Sequence, residues 1–252
     1  MSEALAHPTT HDEAWRYADG DWLAKADPVQ LSHWHEHEVP AGETERGFAL
    51  VEPHEGSKVD RLRVHVGAHA RYEHFVINAG ALYTRCELDV VLEQGAHFEL
   101  GGVILGGGEA RGEIVTRVVH APEATSNQVV RAVQWGRSVG NFLGRIEIPR
   151  DSQQVDAAQN FKAILLEAGA SANAKPELEI YADDVKAAHG AAIGALDQTA
   201  AFYMASRGIA PEAARRLLVR AFIADAFVSV KHEEMRDDLL EQALHYLEGA
   251  AL

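Results

Sequence analysis

From about residue 59 onward, apolar and polar positions alternate with period two. Leu62, Val64 and Val66 interleave with Arg61, Arg63 and His65, as in a strand with one buried face. The alternation recurs over residues 83–90, 112–118, 128–133, 144–148 and 177–181, so six or more strands follow one another with no long helix between them. Their punctuation repeats as well. Val66-Gly67-Ala68-His69 is echoed by Gln94-Gly95-Ala96-His97, and more loosely by Ala168-Gly169-Ala170. Small residues recurring at corners, with an imperfect period in the twenties, mark a coiled β array in which each turn buries its inward residues on its neighbour. The pattern predicts a mainly β protein. A right-handed parallel β-helix accounts for both the alternation and the corners; an antiparallel sandwich or a cupin-like barrel accounts for the alternation equally well.

Beyond Leu196 the period becomes helical. Asp197 is placed to cap a helix over residues 198–207, with Gly208 as its stop. Pro211 suits the first position of a second helix, in which Ala214, Leu217, Leu218, Ala221 and Phe222 form an apolar stripe continuing to Phe227 or Val228. Met235, Leu239, Ala243 and Leu247 predict a last helix. Residues 1–58 hold Pro8, Pro28 and Pro40 and show no sustained period, which predicts a short N-terminal segment of loops and short helices. The expected organisation is that segment, a β core over residues 59–196 and a C-terminal helical domain over residues 197–252.

Charge narrows the list of partners. Lys and Arg number 23 against 38 Asp and Glu, a net charge of -15, which opposes binding to phosphate backbones or anionic lipid. Neither nucleic acid nor a membrane is therefore an expected partner. The opening stretch MSEALAHPTTHDEAW lacks the basic and apolar regions of a secretory signal, and no window approaches the roughly 20 apolar residues of a membrane span, so a cytoplasmic location is expected. Cys86 is the only cysteine, which rules out an intrachain disulfide and a cluster held by four thiolates of this chain.

Several residues carry candidate chemistry. His33, His35 and His37 lie on one side of an extended segment and could bind a divalent metal, which makes a stand-alone histidine metal-binding protein one reading. Asp183-Asp184 suggests a β-helix enzyme acting on polysaccharide, yet adjacent strand residues point to opposite faces and an acidic chain repels a polyanion. Gly101-Gly102 and Gly106-Gly107-Gly108 lack the Lys-Ser/Thr ending of a phosphate loop and read as tight turns. Around His189, alanine and glycine leave room for another backbone, or a bulky inorganic ligand, to approach.

Residues 175–209, KPELEIYADDVKAAHGAAIGALDQTAAFYMASRGI, resemble the signature of the SufB/SufD family, scaffold subunits of the Suf iron–sulfur cluster assembly machinery. The resemblance extends through Gly144-Arg145-Ile146, Asp156-Ala157-Ala158-Gln159 and Ile164-Leu165-Leu166, and weakly to Glu13-Ala14-Trp15-Arg16-Tyr17. Ala191-Ala192-Ile193-Gly194 after His189, and Ala182-Asp183-Asp184-Val185-Lys186 before it, are similar to the SufD branch rather than to SufB. The resemblance implies a right-handed parallel β-helix with a C-terminal helical domain and no enzymatic activity in this chain. It also implies pairing with a SufB-like subunit, and docking of a SufC-like ABC ATPase on the C-terminal helices around Pro211, Arg215, Leu218 and Phe222. No cofactor would be tightly bound by this chain alone. A transient iron–sulfur cluster would form at the SufB interface with His189 as an iron ligand, and the isolated chain could form a homodimer. Two features depart from the family pattern: Ala187 and Ala188 stand where members often have a cysteine, and the N-terminal end is shorter than in many relatives.

Overall fold

The computed structural model describes residues 7–53, 56–247 and 250. Among them, twelve strands form two six-stranded sheets. One sheet holds β1 (His35–Val39), β3 (Lys58–Val66), β5 (Tyr83–Leu92), β7 (Arg111–His120), β9 (Val139–Ile148) and β11 (Ser171–Ile180). The other holds β2 (Thr44–Val51), β4 (Arg71–Asn78), β6 (His97–Gly106), β8 (Thr125–Gln134), β10 (Val155–Leu165) and β12 (Val185–Ala195). Every pairing is parallel, and consecutive strands fall in opposite sheets. The chain therefore winds through six stacked turns, each laying one strand in each sheet. This is a parallel β-helix, and the pairing excludes the sandwich and the barrel.

Turn length grows along the chain. Residues in register on adjacent turns are 26 apart at Arg61 and Glu87, 28 at Arg85 and Glu113 and again at Arg117 and Arg145, and 32 at Asn141 and Asn173. The echo between Gly67-Ala68-His69 and Gly95-Ala96-His97 is consequently out of register. Arg71, not His69, lies opposite His97, which sets His69 against Gly95. Both residues have positive φ, 58° and 66°, as do Gly42, Glu123 and Gln154 at the same corner of other turns. The corner demands a left-handed residue, and short-range geometry rather than glycine alone supplies it.

Between the sheets, inward residues such as Val64, Leu88, Leu100, Ile114, Val130 and Phe142 stack into one continuous core. Strand pairing reaches further toward the N-terminus than the alternation implied, because β1 and β2 lie in the stretch read as loops and short helices. The β1 sequence His35-Glu36-His37-Glu38-Val39 is polar on both faces, so no period showed. The rest of that stretch does contain short helices, α1 (Gly20–Leu23) and α2 (Pro28–Ser32), which lie with Trp15 in a small apolar cluster that also holds Tyr83 of the first sheet. Under the Trp15 ring, 4.1 Å from its centroid, sits the buried Arg85 guanidinium, paired with Glu87 and Glu113 at 3.0 Å each.

The second sheet is covered by helices. α3 (Gln198–Ser206), α4 (Pro211–Ala224) and α5 (Glu233–His245) follow the last strand, and α4, α5 and the 3₁₀ turn after α4 bury Val219, Ile223, Phe227, Leu239 and Leu240 against Phe75, Ile77, Val103 and Leu105. This double coverage hid β4 and β6, whose residues are buried on both faces and so do not alternate. It also corrects the reading of the glycines. Gly101, Gly102 and Gly106 lie inside β6, and only Gly107 and Gly108 form a corner. A Cβ on Gly101 would sit 2.4 Å from the Ala226 carbonyl oxygen, so this glycine admits the 3₁₀ turn Asp225–Phe227 onto the sheet.

Candidate functional site

The last turn of the β-helix ends without a cap among the described residues. β12 pairs only with β10 and β11 only with β9, leaving two open strand edges. These edges differ in character. β11 carries Pro176, which has no amide to donate, beside the charges of Lys175, Glu177 and Glu179, features that discourage strand addition. β12 reads Val185-Lys186-Ala187-Ala188-His189-Gly190-Ala191-Ala192-Ile193-Gly194-Ala195, and most of it is exposed. Its small side chains and free backbone edge suit close approach by another chain.

His189 sits at the centre of this edge. Its register partner is Gln159, which is buried in the core together with Phe161 and Ala157 on the same inward side of β10. His189 therefore occupies an inward position of the β-helix but is exposed, because no seventh turn lies above it. No hydrogen bond holds its ring among the described residues. α3 leaves this end with no buried residue, and Phe202 and Tyr203 are 77% and 58% exposed. The turn and helix together form an uncovered surface on which the His189 imidazole is exposed.

The other candidates are dispersed. Cys86 lies inward on β5, three turns or roughly 14 Å of strand spacing from the last turn. It is buried, and burial pushes its thiol up to about 12, far from a ready thiolate. His33 and His35 meet edge to face with centroids 4.8 Å apart, while His37 bonds to Glu45 at 2.9 Å, so the three do not converge as ligands. Among the described residues no group of three or more His, Cys, Asp or Glu is arranged to hold a metal ion. Asp183 and Asp184 lie exposed in the corner before β12, where the Asp184 amide donates to Gln153 Oε1.

On the helical domain, the expected docking residues divide. Pro211 and Arg215 are exposed and line a cleft of about 370 Å³ between the end of β12, α3 and α4. Leu218 and Phe222 are half-buried, and the Phe222 ring lies 5.9 Å from the Arg131 guanidinium, which is itself anchored to Asp225 at 2.6 Å. Phe222 thus fastens α4 to the β-helix. The buried stripe of α4 is Ala214, Val219 and Ile223, while Leu217 is 48% exposed at an α4–α5 groove of about 620 Å³ flanked by Arg216 and Arg220. The sequence stripe rotated this face because leucines occur on both sides of the helix.

Comparison with known proteins finds one family. The family model for the SufBD core domain of SUF system FeS cluster assembly matches residues 51–222, more than half of the chain. The chloroplastic protein ABCI7 of Arabidopsis thaliana is 36% identical over 135 residues, 52% of this chain and 27% of that protein. The iron–sulfur cluster assembly protein SufD of Escherichia coli is 34% identical over 116 residues, 46% of this chain and 27% of that protein. A SufBD family protein of Synechocystis is 32% identical over 161 residues, 63% of this chain and 36% of that protein. The matched part of the chain thus spans about a quarter to a third of the length of these relatives.

Proposed function

This chain belongs to the SufBD core family of iron–sulfur cluster assembly proteins, and from that premise we propose that it is a SufD-like, non-catalytic scaffold subunit. The uncapped last turn is the observation that carries this reading: β12 offers an open edge of small residues with His189 exposed at its centre. A SufB-like subunit seats on that edge and covers α3, adding backbone hydrogen bonds to β12 and burying Phe202 and Tyr203. The cluster is cargo built at the junction. His189 provides one nitrogen ligand, and the partner provides thiolates, since the one thiol here is buried and protonated.

The helical domain receives a SufC-like ATPase along the exposed α4–α5 groove at Leu217, Arg216 and Arg220, and along the cleft at Pro211 and Arg215. ATP hydrolysis belongs to that partner. Nucleotide can open the cluster junction only by binding one arrangement of the ATPase pair more tightly than the other, with α4 and α5 transmitting the difference to the sheet they pack on.

The test is co-expression, without oxygen, with SufB-like and SufC-like proteins of the same cell, using a tag on this chain alone. Both partners should be recovered, with iron and sulfide present in the complex. His189→Ala should keep the partners while lowering bound iron by about 10-fold, as expected for loss of a ligand position. Undiminished iron in that variant would remove His189 from the cluster, and a tagged chain recovered without partners would remove the scaffold reading.

A further inference from the structure

Directly beneath His189, the interior of the β-helix is polar where its neighbours are apolar. Gln159 is 2% exposed, and its Nε2 donates to the Gly144 carbonyl at 3.2 Å and to the Glu177 carbonyl at 3.3 Å. Its Oε1 is buried without a partner. One turn deeper, Gln128 occupies the same inward position, and its Oε1 accepts from the Thr116 hydroxyl at 2.6 Å. Gly144 stands in register with Thr116, so the fifth turn has lost the hydroxyl that satisfied the glutamine oxygen in the fourth. The space is real: a Cβ on Gly144 would overlap Gln159 Oε1, at 2.1 Å. Gln128 Nε2 is a second buried group without a partner, and it is a donor.

We propose that Gln159 is a positioning residue for His189, its amide oxygen accepting a hydrogen bond from one ring N–H so that the other ring nitrogen faces out of the open end. A carbonyl oxygen accepts two hydrogen bonds. Gln159 Oε1 is buried without a partner one strand spacing, about 4.8 Å, below the register position of His189, whose exposed ring holds no hydrogen bond among the described residues and reaches this oxygen by turning inward. That bond gives the buried Gln159 oxygen the partner it lacks. It also selects a single tautomer of the imidazole, which is how proteins commonly fix the nitrogen that meets a metal. The purpose of the arrangement rests on His189 being an iron ligand; the hydrogen bond does not.

The experiment is long-range ¹H–¹⁵N correlation of the histidine rings in the metal-free, ¹⁵N-labelled full chain, with the His189 signals identified by their loss in His189→Asn. His189 should show one ring tautomer. Gln159→Leu, close in size but without an acceptor, should convert it to a mixture while the chain stays folded, and Gln159→Glu, which restores an acceptor, should return a single donor state. A mixture in the unmodified chain would overturn the proposal without reference to any variant, as would a single tautomer persisting in folded Gln159→Leu. One tautomer, lost in Gln159→Leu, combined with undiminished iron in the His189→Ala complex would leave this hydrogen bond standing and overturn the ligand reading, so the two fail separately.

Discussion

His120 donates from Nδ1 to the Glu147 carbonyl, 3.2 Å away, and accepts at Nε2 from the Ser126 hydroxyl at 2.8 Å, all within the core. His74, equally buried, accepts at Nδ1 from the Tyr72 phenol at 2.8 Å. Burial pushes both imidazoles down to about 4, in His74 with help from the neighbouring His37. In the unfolded chain both titrate near 6.5, so between about 6.5 and 4 the unfolded state binds protons that the folded state refuses, and stability falls as pH falls. Each histidine accounts for roughly 3 kcal/mol at the low end of that window. Carboxylates act in a lower one: burial raises Glu73 and Glu87, but Arg71 and Arg46 hold the first low, and Arg85 and Arg61 the second, so their contribution is lost only below about 4.5. Urea midpoints should therefore drop steeply between pH 6.5 and 4.5; a flat profile there would mean that the two histidines are not held neutral. The His120 pairing was not legible in the sequence, because the Glu147 carbonyl lies a full turn away, whereas Tyr72 and His74 are two apart on one strand, within reach of a local reading.

The helical elements were the most legible, because their stop signals are local. The Asp197 carboxylate accepts from the Thr199 and Ala200 amides, as its position predicted. At the other end of α3, Gly208 at φ 86° lets its own amide reach the Ala205 carbonyl and that of Ile209 reach Met204, the two bonds of a Schellman stop. Removal of an N-cap costs about 1 kcal/mol. Since α3 buries no residue, Asp197→Ala should speed amide exchange within α3 several-fold, on the order of that energy, with little change in the melting temperature of the isolated chain; a matching fall in global stability would show that α3 is packed after all. Strands were legible only where one face met solvent. β4 and β6 went unread because helices cover their outer side, and β1 because neither of its faces is apolar.

The two halves of the molecule meet on a glycine. With Gly101 bare, the Ala226 carbonyl comes down onto β6, and the salt bridge from Arg131 to Asp225 closes beside it. Gly101→Val should lift the Asp225–Phe227 turn and loosen α4 and α5 from the sheet, so that protease cuts between β12 and α4 at least ten times faster while the β-helix resists; equal resistance would place the domain contact elsewhere. Local pattern was enough to establish a repeating β body with left-handed corners, a capped helical tail and a chain too poor in cysteine to hold a cluster by itself, since propensity, capping and composition act within a few residues. Small neighbours drew attention to His189, and only the resemblance gave it a role. Register between residues 26 to 32 apart, the absence of a turn above β12 and the buried amide under His189 came from the stacking of turns, because each depends on which distant residues share a layer, and a drifting repeat length hides that from any local reading.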